Sequence, residues 1–385
     1  RPPRSTLFPY TTLFRSDVYE TLTCLAAGYS VEETIQEVYG RKPAEVDTDD
    51  YASAIACSKR RFVVVESLDD LNAMLDAPME KWRIFLHPSQ ERLAKADYAG
   101  PALVTGGPGT GKTVVAMHRA RHLAGRLPEG AGEKILFTTF SANLAKNIAH
   151  NLESLCGPGL AAKVEVVHLH SWASSYLRRR KVKFGVATEE KLAEFWAEAV
   201  RETGCARWDA GFLQEEWETV VHHLGLEKLE DYLAASRRGR GIPLSGADRE
   251  EIWRVCRAFD RIKRDQCYSE WHDVLREARR LLAEPGECPP YRAVIVDEAQ
   301  DMEAEALRLL RALVPPGRND LFLVGDACQR IYRRPVVLKD CGIEVRGRAS
   351  TLRINYRTTD QIRRWALEVL GEARFNQVQP MLDRV

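Results

Sequence analysis

Residues Gly106 to Thr113 read Gly-Gly-Pro-Gly-Thr-Gly-Lys-Thr. No other stretch narrows the possible folds as much. The spacing G-x-x-x-x-G-K-[ST] lets a glycine-rich backbone curl so that successive N–H groups point inward at a helix N-terminus. Such a loop needs a strand before it and a helix after it. Ala102–Val104 is a short apolar run, and VVAMHRARHLAG follows with helical character. With glycine near 7% of residues, a chance match in this length is on the order of one in a hundred. Gly106, Gly107, Pro108, Gly109, Thr110 and Gly111 therefore read as a phosphate cradle. Lys112 is placed to reach β- and γ-phosphates, and the Thr113 hydroxyl to bind Mg²⁺.

The rest of the chain has the texture this loop requires. Short apolar runs at Lys134–Thr138, Val164–Val167, Ala293–Val296 and Leu321–Val324 alternate with helical stretches. Buried parallel strands look like this, so the spacing predicts a doubly wound α/β domain. Between residues 172 and 285 such runs vanish. That region is charged and helical in pattern, with Trp196, Trp208, Trp217, Trp253 and Trp271 expected as core anchors of a helical insertion.

A second motif complements the loop. Ala293 to Asp301 reads AVIVDEAQD, a strand ending in two acids. A phosphate-loop ATPase needs such acids opposite its loop. Asp297 is expected to hold Mg²⁺, and Glu298 to orient and deprotonate the attacking water.

Composition sets outer limits on the 385 residues. Hydrophobic residues make up 45% and charged residues 29%, the mix of a globular protein rather than a disordered chain. No apolar run approaches the ~20 residues of a membrane span. The 56 basic and 55 acidic side chains nearly cancel, so a nucleic-acid partner must be met by a local surface. The nine cysteines are odd in number and without a Cys-x-x-Cys pair, which reads as reduced thiols in a cytoplasmic protein.

The first sixteen residues, RPPRSTLFPYTTLFRS, have neither the apolar h-region nor the cleavage site of a signal peptide. One reading frame of a short-read sequencing adapter yields all sixteen in order. Residues 1–16 are therefore expected to be a translated artefact. Without their three arginines the formal charge falls from +1 to −2. Residues 17–80 carry helical spacing at Val18, Leu22 and Leu25, then Val31, Ile35 and Val38, and a β-branched run at Arg61–Val65. They read as a small α/β or helical appendage.

With both motifs in hand, the chain resembles UvrD/Rep-type superfamily 1 DNA helicases. Further motifs occur in that family's order. Gln90, in LHPSQ, matches its adenine-reading glutamine. Thr138-Thr139-Phe140-Ser141 matches its first single-strand-contacting motif, and His168-Leu169-His170-Ser171-Trp172 a second segment. Gly325-Asp326-Ala327-Cys328-Gln329-Arg330-Ile331-Tyr332 matches the coupling motif, and Asn355-Tyr356-Arg357 the opening motif of a second motor domain. The resemblance implies ATP and Mg²⁺ as cofactors and catalytic roles for Lys112, Glu298, Gln329 and Arg357. It implies that Tyr356 stacks on adenine. Thr139, Phe140, His170, Trp172 and Tyr332 are the implied DNA contacts. Arg334 stands where the family often has a base-stacking Trp.

The expected architecture is a P-loop (RecA-like) parallel sheet with a helical insertion and an N-terminal appendage. Residues 81–171 and 286–345 would form the first RecA-like domain, 172–285 the insertion, and 346–385 the truncated start of a second. Single-stranded DNA and single/double-strand junctions are the expected partners; 3′→5′ movement is implied by family alone. Two basic runs, Arg178–Lys181 with Lys183 and Arg237–Arg240, read as strand or duplex contacts or as solvated faces. Rival readings are a translocating or nuclease-associated ATPase without unwinding and a nucleotide-gated DNA-binding module. The chain reads as a fragment at both ends and, lacking the family's last motifs, as a weak motor by itself.

Overall fold

Eight short strands and ten helices follow from these runs in a computed structural model that describes residues 86, 88–128, 132–237, 240–286, 289–326, 336–352, 355 and 361–362. Residues 1–16 and 17–80, and the candidates Gln329, Tyr332, Arg334, Tyr356 and Arg357, lie outside the described residues. The strands are β1 (Ala102–Gly106), β2 (Ile135–Thr139), β3 (Val164–His168), β4 (Gly185–Val186), β5 (Tyr268–Ser269), β6 (Ala293–Val296), β7 (Leu321–Gly325) and β8 (Ala349–Leu352). Six form one sheet in the order β3-β2-β6-β7-β1-β8, with every pairing parallel.

Both faces of this sheet are covered, which is why its strands read as continuous apolar runs rather than as alternation. Leu103, Leu136, Val294, Val296, Leu321 and Leu323 enter one core, and Ala102, Val104, Ile135, Phe137, Ile295, Phe322 and Val324 the other. The first core is covered by α4 (Leu169–Arg179), α9 (Trp271–Leu282) and α10 (Ala304–Ala312). The second is covered by α2 (Lys112–Ala124) and α3 (Ala142–Ala161). Ser141 caps α3 by accepting from the Leu144 N–H, and the helix kinks at Gly157 before Pro158.

Helix α1 (Pro88–Lys95) is tied to α2 by Arg119, which is almost fully buried. Its guanidinium donates to the carbonyls of Ala94 and Ala96 at 3.1 and 2.5 Å and to Asn319 Oδ1 at 2.7 Å. Burial depresses its pKa to about 10. This anchor fixes Gln90 beside the start of α2.

A third core belongs to helices alone. It joins α5 (Glu189–Thr203), α6 (Ala210–Glu216) with the π-helical turn Trp217–His222, α7 (Leu229–Ala234) and α8 (Gly246–Asp265). Trp196 stacks on Phe259 at 3.9 Å, and Trp217 and Trp253 are buried as expected. Thr188, Asp209 and Ser245 cap α5, α6 and α8. Strands β4 and β5 pair Gly185 with Tyr268 and Val186 with Ser269, so the chain enters and leaves this body at adjacent points. The flanking helices α4 and α9 pack on the sheet instead of in this core. Trp271 departs from the expectation of a core anchor, since it is 43% exposed.

The run Arg237–Arg240 is structural where it is described. Arg237 Nε reaches Glu216 Oε1 at 2.5 Å, and Arg240 reaches Glu216 at 2.9 Å and Glu215 at 2.6 Å. The Tyr232 hydroxyl also donates to Glu216 at 2.9 Å. Both arginine side chains are 5% exposed and Glu216 is fully buried, which removes the reason to assign this run to DNA. Burial alone would raise the Glu216 pKa, but Arg237, Tyr232 and Arg240 outweigh it and hold the carboxyl below the usual glutamate range. Its stabilisation is thus present above the unfolded pKa of about 4.3 and fades as pH falls through the lower folded value. Glu216→Ala leaves two buried guanidinium groups without their shared partner. The expected loss is about 3–5 kcal/mol, read from urea denaturation at neutral pH. A loss under about 1 kcal/mol would mean that water screens the cluster.

Candidate active site

The carboxyl ends of β1, β2, β6 and β7 share one edge of the sheet, and the residues that follow them converge there. β1 runs into the glycine loop, where Gly109 and Gly111 take φ of 75° and 82°. These left-handed angles turn the loop into the first turn of α2 and favour glycine. Thr110 Oγ1 donates to the Gly107 carbonyl at 2.8 Å. Gln90 Nε2 donates to the Thr110 carbonyl at 2.8 Å, so the α1 glutamine braces the loop from outside.

Lys112 opens α2 with its side chain turned into the loop. Its ammonium donates to the carbonyls of Gly106 and Gly107 at 2.8 and 2.9 Å and lies 3.6 Å from Asp326 at the end of β7. Thr113 Oγ1 donates to Asp297 Oδ2 at 2.8 Å, joining the loop helix to the end of β6. Asp297 is fully buried. Burial, then the neighbouring Glu298 charge, pushes its pKa up to about 7, against the Thr113 hydrogen bond.

Glu298 holds a left-handed φ of 53°, a conformation costly for a non-glycine residue. Its N–H donates to Asp297 Oδ1 at 3.1 Å. Gln300 donates to Glu298 Oε2 at 2.7 Å and accepts from the Asp326 N–H at 2.8 Å. It therefore locks the ends of β6 and β7 together. A Cβ at Gly325 would stand 2.7 Å from Gln300 Oε1, so this contact requires the glycine. Gln300 was absent from the sequence-based candidates. Its place in the Asp-Glu-Ala-Gln-Asp run was the available signal.

The expected nucleic-acid residues divide. Phe140 is half-buried at the end of β2, and His170 is partly buried at the start of α4. His170 lies 3.2 Å from His168 Nε2 and meets the Trp271 ring edge-on at 4.9 Å. Thr139 is fully buried within the sheet. Trp172 is 4% exposed, stacks on Tyr176, and donates its indole N–H to the Tyr291 hydroxyl at 2.7 Å. It is a core residue rather than an open stacking platform. The exposed aromatic beside His170 is Trp271, at the start of α9. The run Arg178–Lys181 also departs from expectation. α4 runs back from the end of β3, and Arg179 and Arg180 share a cleft with Lys134 and Pro290, at the amino-terminal edge of the sheet. That edge is opposite Phe140.

His222, Glu270 and Asp273 have metal-ligand types within 4.8 Å of one another. The Lys263 ammonium already bridges the two carboxylates at 2.5 and 2.6 Å, so a protein cation fills that role. At the glycine loop the donors are different: a hydroxyl and carboxylates, the hard oxygens Mg²⁺ prefers, beside the Lys112 ammonium.

Residues 86–334 match the family model of the UvrD/REP helicase N-terminal domain. A protein named as a DNA helicase II homolog in Mycoplasma genitalium is 23% identical over 63% of this chain, and one named as the ATP-dependent DNA helicase YjcD in Bacillus subtilis is 24% identical over 70%. The chain spans 36% of the length of each of these curated relatives.

Gly111→Ala tests the loop. The added Cβ would lie 2.7 Å from Gln90 Nε2 and impose left-handed strain of about 1–2 kcal/mol. The expected destabilisation survives in a Gln90→Ala background, measured by urea denaturation. Full rescue in that background would assign the cost to the clash alone.

Proposed function

The chain belongs to the UvrD/REP helicase N-terminal domain family, and we propose that it is the nucleotide-binding, strand-gripping motor portion of an ATP-dependent DNA helicase or translocase. The convergence of Lys112, Thr113, Asp297 and Glu298 on one edge of a parallel sheet carries this reading. Ligands of open parallel sheets bind at the carboxyl ends of the strands.

The donor set fits Mg²⁺ and a triphosphate. Thr113 and Asp297 would hold the metal, which supplies charge neutralisation at the β- and γ-phosphates. Lys112 would exchange its two carbonyl partners for phosphate oxygens, and the loop N–H groups would take the rest of the charge. Glu298, oriented by Gln300, would accept a proton from the attacking water. Gln90 sits where α1 meets the loop and would face the base. Gln329, Tyr356 and Arg357 keep the γ-phosphate and adenine roles that the family resemblance implies, and Tyr332 keeps its DNA role.

On the same edge, Phe140, His170 and Trp271 would contact single-stranded DNA, with Trp271 in the stacking role first given to Trp172. The helical insertion is proposed to span the segment between β4 and β5, narrower than 172–285. Movement 3′→5′, action at strand junctions and a cytoplasmic location rest on the resemblance. Among the described residues no helix is long and apolar enough to cross a membrane. A translocase without unwinding is the second reading; strand displacement by the full-length protein separates it from a helicase.

Three outcomes are expected. Lys112→Ala abolishes nucleotide binding in isothermal titration, because it removes the ammonium that faces the loop; retained affinity would refute the phosphate role. Mg²⁺ affinity rises about tenfold per pH unit up to about pH 7 and then levels, because Asp297 must lose its proton to take the cation. A flat profile between pH 6 and 8 would exclude Asp297 as a ligand. Trp271→Ala weakens single-stranded oligonucleotide binding about tenfold, whereas Trp172→Phe lowers stability and leaves that affinity intact. The reverse pattern would restore the first assignment.

A further inference from the structure

The cleft at the amino-terminal edge of the sheet holds about 290 Å³. Lys134 precedes β2, Pro290 and Tyr291 precede β6, and Glu165 lies near the start of β3, so the cleft opens away from Lys112 and Asp297. Its inner wall is aromatic. Trp172 and Tyr176 are stacked 5.1 Å apart at 10°, and the Tyr291 hydroxyl accepts from Trp172 at 2.7 Å. Its rim is cationic, with Lys134, Arg179 and Arg180, and the Arg180 guanidinium lies 5.7 Å from the Tyr176 ring centre. Glu165 is the sole acid among the lining residues, and the Tyr291 hydroxyl engages its carboxylate.

Tyr176 is 8% exposed and its hydroxyl is sealed from solvent, so the ring, not the hydroxyl, forms the wall. A cleft with aromatic walls and a rim of positive charge is built to receive an anion attached to something apolar.

We propose that this cleft docks an acidic peptide segment of a partner protein. The segment inserts one large apolar side chain against Tyr176, Leu282 and Pro290. Its flanking carboxylates lie on Arg179, Arg180 and Lys134. Size argues for a single side chain, because the volume is just below the ~300–1,000 Å³ of pockets that enclose drug-sized ligands. Charge argues for an acidic partner, since the exposed Arg178, Lys181 and Lys183 extend the cationic rim. A nucleic acid fits less well. Base stacking needs an open aromatic face, and Trp172 is 4% exposed with one face on Tyr176. Tyr, Trp and Arg are the residues that dominate protein–protein hot spots.

The test uses the 385-residue chain and a fluorescein-labelled peptide of alternating Asp and Glu ending in Phe, followed by anisotropy. Saturable, salt-sensitive binding is expected. Replacing the terminal Phe by Ala, or Arg179 by Glu, weakens it about tenfold or more. Tyr176→Phe, which keeps the ring and removes only the sealed hydroxyl, leaves it unchanged. Both protein variants retain wild-type circular dichroism and nucleotide binding at Gly106–Thr113. The proposal is overturned if no saturable binding occurs, or if the Ala-ended peptide binds equally well. It is also overturned if an unlabelled single-stranded oligonucleotide binds the same site more tightly and loses that affinity in Arg179→Glu.

Discussion

A single hydrogen bond, from Thr113 to Asp297, joins the helix of the glycine loop to the end of β6 across 184 positions of sequence. Its acceptor is buried where a bare carboxylate is costly, so the contact holds only if α2 and β6 arrive in register. That register depends on β7 pairing with both β1 and β6, and on β2 pairing with β6. The sheet is therefore assembled by its most distant segments. Gln300 adds a second lock, since the Asp326 N–H and the Glu298 carboxylate are held by opposite ends of one amide. The strained φ of Glu298 is maintained between these two fastenings.

Charge burial organises the helical body by the same logic. Lys263 is completely buried, yet its ammonium contacts Glu270 and Asp273, and it lies 5.5 Å or less from the ring centres of Trp217 and Phe259. Glu216 plays the inverse part, one acid among two guanidinium groups and a phenol. Such clusters make poor sources of net stability but penalise any arrangement that separates their members. The Lys263 cluster fixes α8 against α9, and the Glu216 cluster fixes α6 against α7 and the stretch that follows it.

The parallel sheet and the phosphate loop were legible because each is local: a glycine spacing, an apolar run, two acids after a strand. The tryptophans were not. Trp271 shares the helical face of Val274, Leu275 and Ala278, which are buried, so periodicity puts it in the core. It stands at the first residue of α9, however, where that face has passed the edge of the sheet. Trp172 follows a motif that points to DNA, but it lies on the α4 face that covers the sheet. Arg237 and Arg240 misled for another reason. A run of like charge looks solvated until its partners are known, and Glu215 and Glu216 lie more than twenty residues upstream of them, on α6.

The two-residue ladder of β4 and β5 has an architectural consequence. Because the segment between them starts and finishes side by side, its length is almost invisible to the sheet: closing a longer loop costs only about 0.6 kcal/mol per doubling. The helical body is in effect a cassette. Away from Lys263, which must stay to pair Glu270 and Asp273, it can be enlarged or trimmed while the phosphate-loop edge of the sheet keeps its spacing.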